Sequence, residues 1–151
     1  VNNLAAFLTA IAVSEGTAAI GDRGYNVLVG ATPAQPLLFG SYHSHPHTMI
    51  QLRPGLVSDA AGRYQILGRY FTFYRASLSL PDFSPASQDA IATQMIREVG
   101  AMADIEAGAF SVALSKAASR WASLPGAGYG QHENTMAMLQ NAYVTAGGVL
   151  A

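Results

Sequence analysis

Apolar residues recur at helical spacing at the start of the chain, with Leu4, Phe7, Leu8 and Ile11 on one stripe. This pattern predicts an opening helix with Asn3 as its N-cap and Gly16 as its stop. Glu15 lies four residues after Ile11 and about three turns after Leu4, so it points along the same face as the buried side chains. A carboxylate that only needed water would sit on another face. The run from Leu4 to Val13 is shorter than the ~20 apolar residues that span a bilayer and reads as a core helix.

The helical period then stops. Between Gly16 and Leu52 short apolar runs, such as Tyr25 to Val29 and Leu37 to Phe39, are punctuated by Gly, Pro, Asn, His and Tyr, a pattern of strands and loops. Ser58 and Asp59 are cap-capable, and positions 66–78, past Gly62, are aromatic-rich and helical in pattern. Ser84 followed by Pro85 is a helix start with proline at the first helical position, and Ile91, Met95 and Val99 continue its apolar face up to Gly100. Further helices are expected over 101–106, 110–122 and 134–146, broken by Gly108, by the Gly-rich stretch 125–130, and by Gly147 with Gly148. One leading helix, a small β-hairpin region and then helices to the end make an α+β arrangement, mostly helical, with a cleft expected where the β region meets the helical part. The length fits a single domain over 1–151.

Composition narrows the function classes. Half the residues are hydrophobic and 11% are charged, which excludes a disordered chain. The formal net charge is -1 and Lys116 is the lone lysine, so there is no basic field to hold nucleic acid or anionic lipid. Neither a nucleic-acid partner nor stable membrane association is expected. Cysteine is absent, which excludes disulfides, thiolate metal sites and a Cys nucleophile. The first apolar run lacks a positively charged leader, so export by a signal of its own is not expected.

Glu15 is the candidate for chemistry. Burial beside apolar groups and the negative end of a helix dipole both disfavour its charged form and raise its pKa. A carboxyl kept partly protonated near neutral pH can protonate a glycosidic oxygen. The competing reading is a solvated residue in a last helical turn. Asp22 and Asp59 are possible second acids by position, but their turn-prone neighbours favour capping roles. His43, His45 and His47 alternate, so an extended segment would turn all three one way, as three imidazoles on zinc require; Pro46 interrupts such a strand.

Five blocks, in order, carry a family resemblance. They are Val13-Ser14-Glu15-Gly16-Thr17; Gly24-Tyr25-Asn26-Val27 to Gly30; Ala61-Gly62-Arg63-Tyr64-Gln65; Asp82-Phe83-Ser84-Pro85 with Ser87-Gln88-Asp89-Ala90; and Trp121 through Pro125 to Gln131. Together they resemble the lambda-type endolysin family nearly end to end. The resemblance implies a lysozyme-like fold and a lytic transglycosylase that cleaves the β-1,4 bond between N-acetylmuramic acid and N-acetylglucosamine of peptidoglycan. It further implies Glu15 as the catalytic residue, no metal and no cofactor. Substrate-binding expectations are Thr17 beside the acid, Tyr64 as half core and half cleft wall, and Gln65 on an N-acetyl carbonyl or orienting Glu15. Tyr129 and Gln131 would lie on a glycine-rich lip, and His45 on the opposite one. The expected partner is the glycan strand, met by a monomer. Accumulation in the host cytoplasm and access to the periplasmic wall through a separate phage holin are implied as well. Two alternatives remain at this point: a hydrolytic muramidase acting on the same bond, and a non-catalytic wall-binding or virion module.

Overall fold

In the computed structural model, which describes residues 2–130 and 132–151, the opening stripe forms helix α1, Asn3–Ser14. Its N-cap is Asn2, one residue before the expected Asn3: the Asn2 side chain accepts from the amide of Ala5 at 3.1 Å. Asn3 instead uses its side chain to tie distant chain to the helix start, donating to the carbonyl of Ile105 and accepting from the amide of Val149, each at 3.0 Å. Ala6, Phe7, Leu8, Ala10, Ile11 and Ala12 are all buried, so α1 is covered on most sides. The chain leaves it through Gly16 at φ +77°, a left-handed conformation that stops a helix and suits glycine.

Two compact units make up the chain: Val1–Glu15 with Ala92–Ala151, and Gly16–Ile91. In the first, α1 packs against α4 (Met102–Glu106) and α6 (Met136–Thr145), and α5 (Phe110–Ala117) packs on α4 and α6. Aromatic rings join these helices, with Phe7 and Phe110 5.8 Å apart and Phe110 and Tyr143 4.6 Å apart between centroids. Helix α5 ends at Ala117 rather than 122, because the chain turns there and buries Trp121. Helix α6 begins at Met136 rather than 134. Its cap is Thr135, which accepts from the amide of Met138.

The second unit holds the β region. Strands β1 (Ile50–Arg53) and β2 (Leu56–Ser58) pair antiparallel with a bulge between Gln51 and Arg53, and Gly55 turns the hairpin. The apolar runs that read as strands meet only as isolated bridges, Val27 with Leu38 and Leu28 with Ala61. Helix α2 (Gly68–Ser77) follows, and Asp59 caps it from nine residues away by accepting from the amide of Gly68 at 3.1 Å. Helix α3 (Pro85–Glu98) begins with proline as expected, with the Ser84 hydroxyl oxygen accepting from the amide of Ser87. The division between units falls within α3, after Ile91. Among the described residues no helix is long and apolar enough to cross a membrane.

Candidate active site

Glu15 occupies the C-cap of α1, where its amide donates to the carbonyl of Ile11 at 2.8 Å and fixes the backbone beneath the side chain. Burial raises its pKa from 4.5 to about 7, against a smaller opposing effect of the Ser123 hydroxyl, which donates to Oε2 at 2.8 Å. Near neutral pH this carboxyl is therefore divided between acid and carboxylate, and can serve as either. Ser14 Oγ stands 2.7 Å from Ser123 Oγ. Asn134 donates through Nδ2 to both the carbonyl and the hydroxyl oxygen of Ser14, and its own amide donates to the carbonyl of Ser123. Neither Ser123 nor Asn134 was expected at the site: Ser123 stood out only within the fifth family block and Asn134 only as the start of the last helix. Only chain folding brings them to Glu15.

Other expected site residues are held by their own unit. Thr17 is 2% exposed, and its hydroxyl donates to the carbonyl of Arg63 at 2.6 Å. Tyr64 is 1% exposed and donates its phenol to Asp89 Oδ1 at 2.6 Å, beside Tyr25, which donates to the same oxygen at 2.9 Å. Burial raises the pKa of both phenols, so they remain donors. Gln65 is half-buried at φ +51°, an unusual backbone for a side chain of its size, and its amide donates to the carbonyl of Gly62 at 3.0 Å.

Tyr129 is exposed, with its phenol donating to the carbonyl of Ser119 at 2.9 Å. The glycine-rich turn beside it is closed by Glu133, whose carboxylate accepts from the amides of Gly126 and Gly128. These bonds hold the Glu133 pKa below its ordinary value. Gln131 lies outside the described residues.

The histidines do not share a face. His43 and His47 are exposed, His47 at φ +48°, whereas His45 is 3% exposed and packs within 4.9 Å of the Phe83 ring centroid. Packing against Phe71 and Phe83 draws the middle ring inward, so the segment is not the extended strand that alternation requires. His45 Nδ1 accepts from the amide of His47 at 2.9 Å, and Nε2 lies 2.8 Å from the carbonyl of Ile66, to which it must donate. Burial lowers its pKa and keeps it neutral. His45, His47 and Asp59 offer donor atoms within 4.8 Å of one another. With both nitrogens of His45 occupied, His47 and Asp59 remain, too few for a zinc site.

The acids weighed as partners for Glu15 have structural duties. Asp22 accepts from the Tyr42 phenol at 2.7 Å, and Asp59 caps α2.

A mostly helical α+β chain with a two-stranded hairpin, and a proton-holding glutamate at the end of its first helix, defines a lysozyme-like protein. The structure of bacteriophage lambda lysozyme complexed with a chitohexasaccharide matches with a TM-score of 0.94 at 43% identity, covering 100% of this chain and 97% of that one. A second lambda lysozyme structure matches with a TM-score of 0.89 at 42% identity, with the same coverage. The chain belongs to the Endolysin family, whose model matches residues 5–150. Relatives include the endolysin of Escherichia phage P2, 48% identical over 99% of this chain and 95% of that protein. The endolysin of Escherichia phage lambda is 44% identical over 99% of this chain and 94% of that protein.

Proposed function

We propose that this endolysin is a lytic transglycosylase that cuts peptidoglycan glycan strands with Glu15 as its single catalytic carboxyl. The observation that carries the reading is the Glu15 carboxyl held at the C-cap of α1 by the Ser123 hydroxyl at 2.8 Å, where burial raises its pKa to about 7 and lets it give and take a proton at the same pH. Glu15 donates its proton to the bridging oxygen as the bond from C1 of N-acetylmuramic acid breaks. The carboxylate left behind accepts the proton of the C6 hydroxyl as that oxygen bonds to C1. The product end is 1,6-anhydro-N-acetylmuramic acid, no water is consumed, and Glu15 is returned protonated. Two-carboxylate hydrolysis needs a second acid free to act, and the roles of Asp22 and Asp59 favour the single-carboxyl route over a muramidase.

Burial suggests that Thr17, Tyr64 and His45 serve by bracing the backbone of their unit. Gln65, Tyr129 and Gln131 are our candidates for direct glycan contact. The family model runs across both units, which supports one catalytic domain over 1–151. Action as a monomer, synthesis in the host cytoplasm and release to the periplasmic wall through a separate holin complete the proposal.

Mass spectrometry of digested sacculi tests the reaction: fragments one water lighter than hydrolytic products are expected, and reducing ends alone would replace the transglycosylase with a muramidase. In the same assay Glu15→Gln is expected to retain glycan binding and lose about 10²-fold or more in kcat. Undiminished clearing by that variant would remove Glu15 from the mechanism, whereas no clearing by the parent chain would leave the wall-binding module as the better account.

A further inference from the structure

Four side chains in one unit form a chain of hydrogen bonds whose direction is set at its far end. The carbonyl of Ser14 can only accept, so the group facing it from Asn134 must be the amide nitrogen, at 2.9 Å. That nitrogen also donates to Ser14 Oγ at 3.0 Å. With its oxygen accepting, the Ser14 hydroxyl has its hydrogen free for Ser123 Oγ at 2.7 Å. Ser123 in turn directs its hydrogen to Glu15 Oε2 at 2.8 Å. Each hydroxyl thus accepts from one neighbour and donates to the next, an arrangement in which successive bonds polarise one another.

We propose that Asn134, Ser14 and Ser123 act as positioning residues that orient the Glu15 carboxyl and assign its acidic proton to Oε1, leaving Oε2 as the accepting oxygen. The proposal rests on the reading of Glu15 as the catalytic acid. An oxygen that already accepts from Ser123 is a poor site for a second hydrogen directed along the same line. The proton exchanged with substrate is therefore carried by the other oxygen, and a rotation that would swap them breaks the Ser123 bond. Among the described residues, burial and this hydroxyl are the influences that act on the carboxyl. The backbone bond from the Asn134 amide to the Ser123 carbonyl at 2.8 Å holds the two loop residues in register without using either side chain.

The test uses Ser123→Ala, Ser123→Thr, Ser14→Ala, the double variant Ser14→Ala/Ser123→Ala, and Glu15→Gln, each checked for folding by circular dichroism. Ser123→Ala is expected to lose about tenfold in kcat with KM within about twofold of the parent. The pH limb governed by Glu15 should move to higher pH, because the hydroxyl that favours its ionised form is gone. Carbon-13 titration of the Glu15 carboxyl should show the same shift without reference to activity, and Ser123→Thr, which keeps a hydroxyl, should restore most of both. Ser14→Ala should cost less than Ser123→Ala, and nothing further in the double variant, since its effect passes through Ser123. An unmoved pH limb and carboxyl titration in Ser123→Ala, or additive losses in the double variant, would overturn the chain while Glu15→Gln remained inactive. Full activity of Glu15→Gln would instead remove the catalytic reading beneath it.

Discussion

Holding a proton up to about pH 7 suits the role proposed for Glu15 and makes the fold less stable in alkali. In the unfolded chain this carboxyl ionises near its ordinary 4.5 and in the folded chain near 7, so between those values the folded state binds the extra proton. Its contribution is therefore most favourable below 4.5, declines as pH rises through the window, and is flat above about 7. Glu15→Gln should raise stability to denaturant at about pH 8, by at most about 3 kcal/mol, and leave it nearly unchanged at about pH 4. An equal gain at both would mean that the side chain is not held as described. His45 shows burial acting on the opposite kind of group: its cationic form is disfavoured, and the neutral ring is locked between Ile66 and His47. Glu15 was legible because its spacing put it on an apolar stripe. The burial of His45 was not, because alternation of three histidines says nothing about Phe71 and Phe83, which come from later in the chain.

At the level of elements, local signals placed most helices, and errors fell at ends decided by distant partners. Asn2 and Asn3 are equally good caps by residue type. Asn3 is drawn away by Ile105 and Val149, which leaves the capping bond to Asn2. Asn2→Ala should cost about 1 kcal/mol in a urea titration and leave kcat unchanged, since the capping bond lies at the opposite end of α1 from Glu15. A comparable loss in kcat would mean that the start of α1 controls the acid. Asp59 presents the same difficulty in another form: its capping role was readable, but the helix it caps starts nine residues on, after an intervening loop.

For the molecule as a whole, the near-zero net charge gives no long-range attraction to an anionic wall. Three of the eight Lys and Arg side chains also pair with nearby acids: Lys116 with Asp104, Arg120 with Glu98 and Arg23 with Asp22. Clearing rates should therefore change by less than about twofold between roughly 50 and 200 mM NaCl, measured on purified sacculi so that the salt does not act on whole cells. A steep fall with salt would show that a local cationic patch governs encounter.

Helical period and five ordered motifs were enough to determine the α+β class and the family and to place Glu15 at the end of α1, because each is encoded within a few neighbouring residues or in their order along the chain. Folding alone decided what surrounds that acid. Ser123 and Asn134 stand 108 and 119 positions from Glu15 in the chain, and a hydrogen bond at 2.8 Å depends on where helices pack, a quantity that no local pattern contains.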